Sequence, residues 1–184
     1  MRMPLRLPRW AGRFLGDKQG VSAVEFALIL PLMMTLYLGG AEVAQAISAS
    51  RKVTLVSRTV ADLASQSSSI TAAGMTNILN ASAAVLAPFP SGKLKVTVSQ
   101  VKIDANGVAT VEWSDTLNGT KRGTGTGVTL PAALNVANTW LIWTEAEFSY
   151  EPTLGAGITG TLALKDEMYM RPRLSNWVTY PAPT

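Results

Sequence analysis

Neither histidine nor cysteine occurs in the 184 residues, so thiolate and imidazole metal sites, disulfides, and Cys-His and Ser-His-Asp nucleophiles are outside this chain's repertoire. The side chain most out of place is Glu25, the only charge in the apolar run Val21 to Ala41. A carboxylate in hydrocarbon costs about 2.5 to 3.5 kcal/mol on insertion scales, and that cost calls for a partner. Gly20 stands immediately before the run, and Phe26 follows Glu25. Other spacings point to weaker chemistry. Glu145 and Glu147 share one side of an alternating segment, where paired acids can be catalytic, but with an apolar opposite face they read as a solvated strand edge. Gly123-Thr124-Gly125-Thr126-Gly127 lacks the Lys-Ser/Thr of a phosphate loop and reads as a flexible loop. Asp104 and Asn106 before Gly107 lack the remaining ligands of a calcium loop and read as a hairpin turn. No cofactor site, no metal site and no catalytic residue is expected.

The elements that position Glu25 begin with the run itself. Its twenty-one residues, at about 1.5 Å each, match a hydrocarbon core of about 30 Å, so it can cross a lipid bilayer once. Before it lie Arg2, Arg6, Arg9, Arg13 and Lys18 against Asp17 alone, a bias that holds the N-terminus in the cytoplasm and places the rest outside. That leader accounts for the whole formal charge of +4, because the other residues carry eleven basic and eleven acidic groups. The body lacks the basic footprint of a nucleic-acid binder, and no nucleic-acid partner is expected.

Beyond Ala41, Val53, Val56, Val60 and Leu63 recur at three and four residues with Arg51, Lys52, Arg58 and Asp62 on other faces, which predicts an amphipathic continuation of the same helix. Pro31 within it removes a backbone donor and frees the carbonyl of Ala27, so a kink is expected there. Gly40, Ala44 and Ser48 form a strip of small side chains that would let another helix approach closely, or reflect only an alanine-rich composition.

The serine-rich stretch 65–69 ends this helix. A second is predicted from about Thr71, its N-cap, to Leu86, with Met75, Ile78, Leu79, Ala83 and Leu86 on one face. From Leu94 the period becomes two: Leu94, Val96 and Val98, then Val101 and Ile103 after a slip at Ser99-Gln100 that implies a bulge. A turn at 104–107 leads to a strand with Ala109, Val111 and Trp113 on one face, then a long polar loop from Ser114 to Pro131. Two further strands are predicted, one from Trp140 to Tyr150 and one from about Thr161 to Met170. The expected fold class is α+β: a long N-terminal membrane-spanning helix continuing as a stalk, packed on a small antiparallel sheet of about four strands. The division expected is a leader at 1–20, the transmembrane and stalk helix at 21–64 and an external head at 71–184.

From Lys18 to about Gln66 the chain resembles the TadE-like family of minor pseudopilins of tight-adherence (Tad) pilus systems, relatives of type IV pilins. The resemblance rests on Gln19-Gly20, on Val21-Ser22-Ala23-Val24-Glu25-Phe26-Ala27-Leu28, and on Pro31 in the helix that follows. The head is similar only loosely, through short strands and Arg171-Pro172-Arg173. The resemblance implies a non-enzymatic pilin-like subunit of adhesion pili, acting in pilus initiation or assembly and cut after Gly20 by a membrane prepilin peptidase. Glu25 then becomes the fifth residue of the mature chain. Other pilin and minor pilin subunits, the inner-membrane assembly platform and the lipid bilayer are the implied partners. The implied location is the bacterial inner membrane, single pass, with the head periplasmic, and the cell surface within a pilus. An α-amine freed at Val21 can pair with the buried carboxylate of a neighbouring subunit, offsetting the desolvation each ion suffers alone.

Two other readings of the same segment compete. Ala44-Gln45-Ala46 has the small-x-small form of a signal-peptidase site, whose use would release a soluble domain from Ile47, although the apolar run exceeds the usual h-region of about 7 to 15 residues. An uncleaved single-pass anchor for a periplasmic binding or scaffolding domain is the third, and it would retain Met1.

Overall fold

The structure is a computed structural model that describes residues 19–153 and 160–181; the expected basic leader, apart from its last two residues, lies outside the described residues. The chain divides into two compact units between Val43 and Ala44. One helix, α1 (Gln19–Ser65), contributes to both.

In the first unit α1 presents its apolar side chains on every side, with Leu28 and Tyr37 each 74% exposed. The backbone remains helical through Pro31, whose carbonyl accepts a hydrogen bond from Thr35 Oγ1 at 2.8 Å. In the second unit the helix becomes one-sided. Ala49, Val53, Val56, Val60 and Ala64 are buried, while Arg51, Leu55 and Arg58 remain exposed. The predicted stripe is therefore the packed face, and Leu63 lies at its half-buried margin.

Helix α2 (Ala72–Leu86) starts where its cap residue predicts: Thr71 is extended, and its hydroxyl accepts from Gly74 N at 3.1 Å. Met75, Leu79, Ser82 and Leu86 are buried along one side, with Ile78 and Ala83 half-buried. Four strands follow, β1 (Leu94–Ile103), β2 (Ala109–Leu117), β3 (Thr139–Tyr150) and β4 (Leu162–Met170), forming one antiparallel sheet in the order β2-β1-β3-β4. The fold is α+β, with the helices on one face of the sheet. Asp104 closes the β1–β2 turn by accepting from Asn106 N and Val108 N at 2.8 Å, and Gly107 takes the positive φ of 79° that the turn requires.

The sheet has two cores. The larger lies under the helices and contains Leu94, Val96, Val98, Trp113, Ile142, Ala146, Phe148 and Tyr150. The second lies on the opposite face, where Val101, Ile103, Ala109, Leu141 and Trp143 are covered by Val128, Leu130 and Leu134 of the β2–β3 connection. This corrects the expected slip at Ser99-Gln100. β1 pairs with β3 without interruption, and its apolar residues change phase because the buried face changes along the strand. The irregularity sits across from it, in β2: Val101 pairs with Val111 and Gln100 with Trp113, leaving Glu112 as the extra residue. As a result Ala109 enters one core and Trp113 the other, while the buried Val111 pairs with Val101, so the three do not share a face.

The polar loop also differs from expectation. β2 continues to Leu117, and the segment after it adds to the outer edge of β2 through Val111 N to Thr126 O and Val128 N to Ala109 O, both 2.9 Å. An open β2 edge would offer unpaired donors and acceptors; the loop occupies them.

The C-terminal segment 171–181 closes the helical side. Arg173 N donates to Ser65 O at 2.8 Å at the end of α1, and its guanidinium reaches Asp62 at 2.6 Å. Farther on, Val178 is fully buried; its N–H donates to Gln100 Oε1 at 2.6 Å, and its carbonyl accepts from Trp113 Nε1 at 2.8 Å. Gln100, 1% exposed, is the polar residue that lets this segment dock on a core strand.

Gln100→Leu would leave the Val178 N–H buried without an acceptor, and the expected loss of stability is about 1 to 3 kcal/mol. Denaturant unfolding of the full chain in detergent micelles measures it; an unchanged midpoint would show that the tail is not locked through this side chain.

Candidate functional site

Two places concentrate functional residues, one on each unit. On the first, Gly20, Val21, Glu25, Phe26 and Pro31 all lie on the exposed surface of α1, Val21 at 52% and Phe26 at 64% exposure. Val21 and Glu25 are one helical turn apart on the same face. Gly20 is already helical, and no atom lies within 4 Å of where its Cβ would stand. Helix α1 is the one described element long and apolar enough to span a membrane, and its most apolar stretch has none of its residues buried.

On the second unit, the face of the sheet opposite the helices carries a charged groove of about 690 Å³. Its floor comes from the strand register. Thr97, Glu145 and Glu167 lie side by side across β1, β3 and β4, and Lys95, Glu147 and Lys165 do so two residues away. The wall is the Gly-rich loop. Gly119 lies so close to the sheet that a Cβ there would stand 2.6 Å from Thr116 Oγ1, which is itself bonded to Val96 O at 2.9 Å; glycine is required by this approach.

Arg122 crosses the face to pair with both oxygens of Glu145, at 2.7 and 2.8 Å, with its guanidinium 4.0 Å from the centroid of the Trp143 ring. The Glu145 hydrogen bonds, outweighing the cost of burial, raise the Arg122 pKa above its usual value. Tyr169 stacks on Trp143 with ring centroids 5.7 Å apart, and both Trp143 Nε1 and Tyr169 OH donate to Glu167 at 3.1 Å. Burial, aided by Glu167, pushes the Tyr169 phenol well above its ordinary range. Glu145 and Glu147 are thus not on a solvated edge. They sit on an interior strand, half-buried and paired with cations.

Lys121, the neighbour of Arg122, fastens the same loop to Asp115 at 2.8 Å, and Asp115 accepts from Tyr180 of the C-terminal segment. Burial alone would raise the Asp115 carboxyl, but the hydrogen bonds from Lys121, Tyr180 and the Thr116 N–H hold it below its ordinary value. Tyr180 is pushed up to about 12 by burial and by Asp115. The sequence signal for this arrangement is the adjacent pair Lys121-Arg122 amid glycines, which composition alone does not connect to distant acids.

Residues 20–62 match the family described as TadE-like protein, which bears out the resemblance read from the sequence. The match covers nearly all of α1 and stops before α2 and the sheet. Neither the curated proteins nor the solved structures contain a match to this chain. The family match bears on α1 alone.

The Asp115 linkage sets an acid dependence. Because its folded-state pKa lies below the unfolded value, its stabilisation is complete above about pH 4 and is lost as pH falls further. Asp115→Asn should cost about 1 kcal/mol at neutral pH and flatten the decline of melting temperature between pH 4 and 2. The Tyr180 contribution runs the opposite way, present below about pH 10 and lost above it, so Tyr180→Phe should flatten the alkaline limb.

Proposed function

We propose that this chain is a minor pseudopilin, a membrane-inserted structural subunit that a prepilin peptidase cleaves between Gly20 and Val21 on the cytoplasmic side of the bacterial inner membrane. The transmembrane and stalk helix runs from 21 to 64, and the head, 71–184, is periplasmic before the subunit enters a pilus. Its partners are the peptidase, other pilin and minor pilin subunits and the assembly platform. Its role is in pilus initiation or assembly.

The observation that carries this reading is the TadE-like match over 20–62, falling on a helix whose apolar first half is exposed all round and interrupted by a single carboxylate. Glu25 is costly in a bilayer unless something cationic meets it. The α-amine left at Val21 by cleavage is such a group, and an ion pair between subunits offsets part of the desolvation of both. Phe26 beside it supplies apolar contact area to the neighbouring helix. Pro31 leaves the Ala27 carbonyl without its helical donor, and a kink at this point would adjust how the helix leans against its neighbours.

Mass spectrometry of the N-terminal peptide from native membranes tests the processing step. A start at Val21 that disappears in a prepilin-peptidase deletion is the expected result; a start at Ile47 or retention of Met1 would overturn it in favour of a secreted domain or a permanent anchor. Gly20→Val should block cleavage almost completely. Glu25→Ala should leave cleavage intact and reduce piliation at least tenfold, and normal piliation would refute the role given to Glu25.

A further inference from the structure

The charged groove on the head is partitioned along the strands. At one level Glu147 lies between Lys95 at 3.8 Å and Lys165 at 3.1 Å, so two ammonium groups share one carboxylate. At the next level Glu145 and Glu167 face each other across β3 and β4 with the Arg122 guanidinium between the loop and Glu145, so two carboxylates share one cation. One end therefore holds an unbalanced positive charge and the other an unbalanced negative charge. The groups in excess are accessible: the lysine side chains are 54% and 64% exposed, and Glu167 is exposed. A tightly paired cross-strand ladder would alternate signs one to one; this one does not.

The two levels are two residues apart on the strands, about 6.6 to 6.8 Å. An extended peptide repeats its side chains on one face at that same distance. The volume of about 690 Å³ falls within the range of roughly 300 to 1,000 Å³ in which small-ligand and short-peptide sites occur. A polyanion would meet Glu145 and Glu167, and a polycation would meet Lys95 and Lys165, so neither suits the whole groove.

We propose that the groove receives an extended segment of a partner protein bearing an acidic and a basic side chain two residues apart, the acid over Lys95 and Lys165 and the base over Glu145 and Glu167. The Gly-rich loop forms the wall against which the segment lies, held in place by the Arg122–Glu145 fork. Recognition comes from charge order along the chain, and it is independent of the chemistry of α1.

Full-length protein in lipid nanodiscs, labelled with ¹⁵N-tryptophan, provides the test. The reporter is the Trp143 indole N–H, which donates to Glu167, with its resonance assigned by Trp143→Phe. Three blocked tripeptides serve as probes: Ac-Glu-Thr-Lys-NH₂, Ac-Glu-Thr-Glu-NH₂ and Ac-Lys-Thr-Lys-NH₂. The mixed-charge peptide should shift the signal with an affinity at least tenfold above the other two. Lys165→Glu, a change at an exposed position, makes the positive end negative and should transfer the preference to the dilysine peptide. Equal binding of all three, no shift with any of them, or a preference unchanged by Lys165→Glu would each overturn the proposal.

Discussion

One helix has to satisfy two surroundings. Over its first half α1 exposes Val24, Leu28, Leu32 and Leu36, a surface that water would disfavour on every side and that hydrocarbon accommodates. Over its second half the same helix narrows its apolar surface to a stripe, Ala49 through Ala64, which the sheet covers. The change from all-round to one-sided hydrophobicity falls near the boundary between Val43 and Ala44 that divides the chain into its two units. Everything in the head is arranged to receive the stripe. Small residues on the helix, alanines and valines, meet larger ones on the strands, Ile142, Phe148 and Tyr150, so the layer is filled without bulky side chains on both sides.

The head then solves a second problem, that a four-stranded sheet has another face. Half of it is covered by the connection after β2 and half is left charged. The extra residue at Glu112 makes this division possible, because it lets one strand send Ala109 to the far core and Trp113 to the near one. The loop that covers the far core is then pinned by successive side chains: Lys121 holds Asp115, and Arg122 holds Glu145. A glycine-rich segment loses more backbone freedom than others when it is ordered, and these two ion pairs, together with the hydrogen bonds to the β2 edge, oppose that cost.

How much of this was legible varies with the range of the interaction. The helices, the Thr71 cap, the Asp104–Gly107 turn and the alternation of β3 are local patterns, and each was readable because neighbouring residues carry the signal. Glu25 stands out in the same local way, since a carboxylate in an apolar run needs no tertiary context to be noticed. The bulge was placed on the wrong strand because the phase change at Ser99-Gln100 has two explanations, an extra residue or a change of buried face, and only the pairing partner distinguishes them. The out-of-phase Val101, Ile103, Leu141 and Trp143 were the available sign of a second core. The groove was invisible because it joins Lys95, Arg122, Glu147 and Lys165 across three strands and a loop. The tail from Leu174 to Tyr180 has no period at all.

That tail has a consequence for the order in which the molecule can be made. Its hydrogen bonds, with that of Arg173 just before it, reach back to Ser65 at the end of α1, to Ser68 and to Gln100 in the sheet, so elements completed early in synthesis wait for residues made much later. Until they arrive, the indole N–H of Trp113 and the Oε1 of Gln100 lack their partners, and the near core is open along one side. Such long-range closure is slow relative to helix formation. The near core therefore closes only once residues 173–180 have docked, however early α1 and the sheet form.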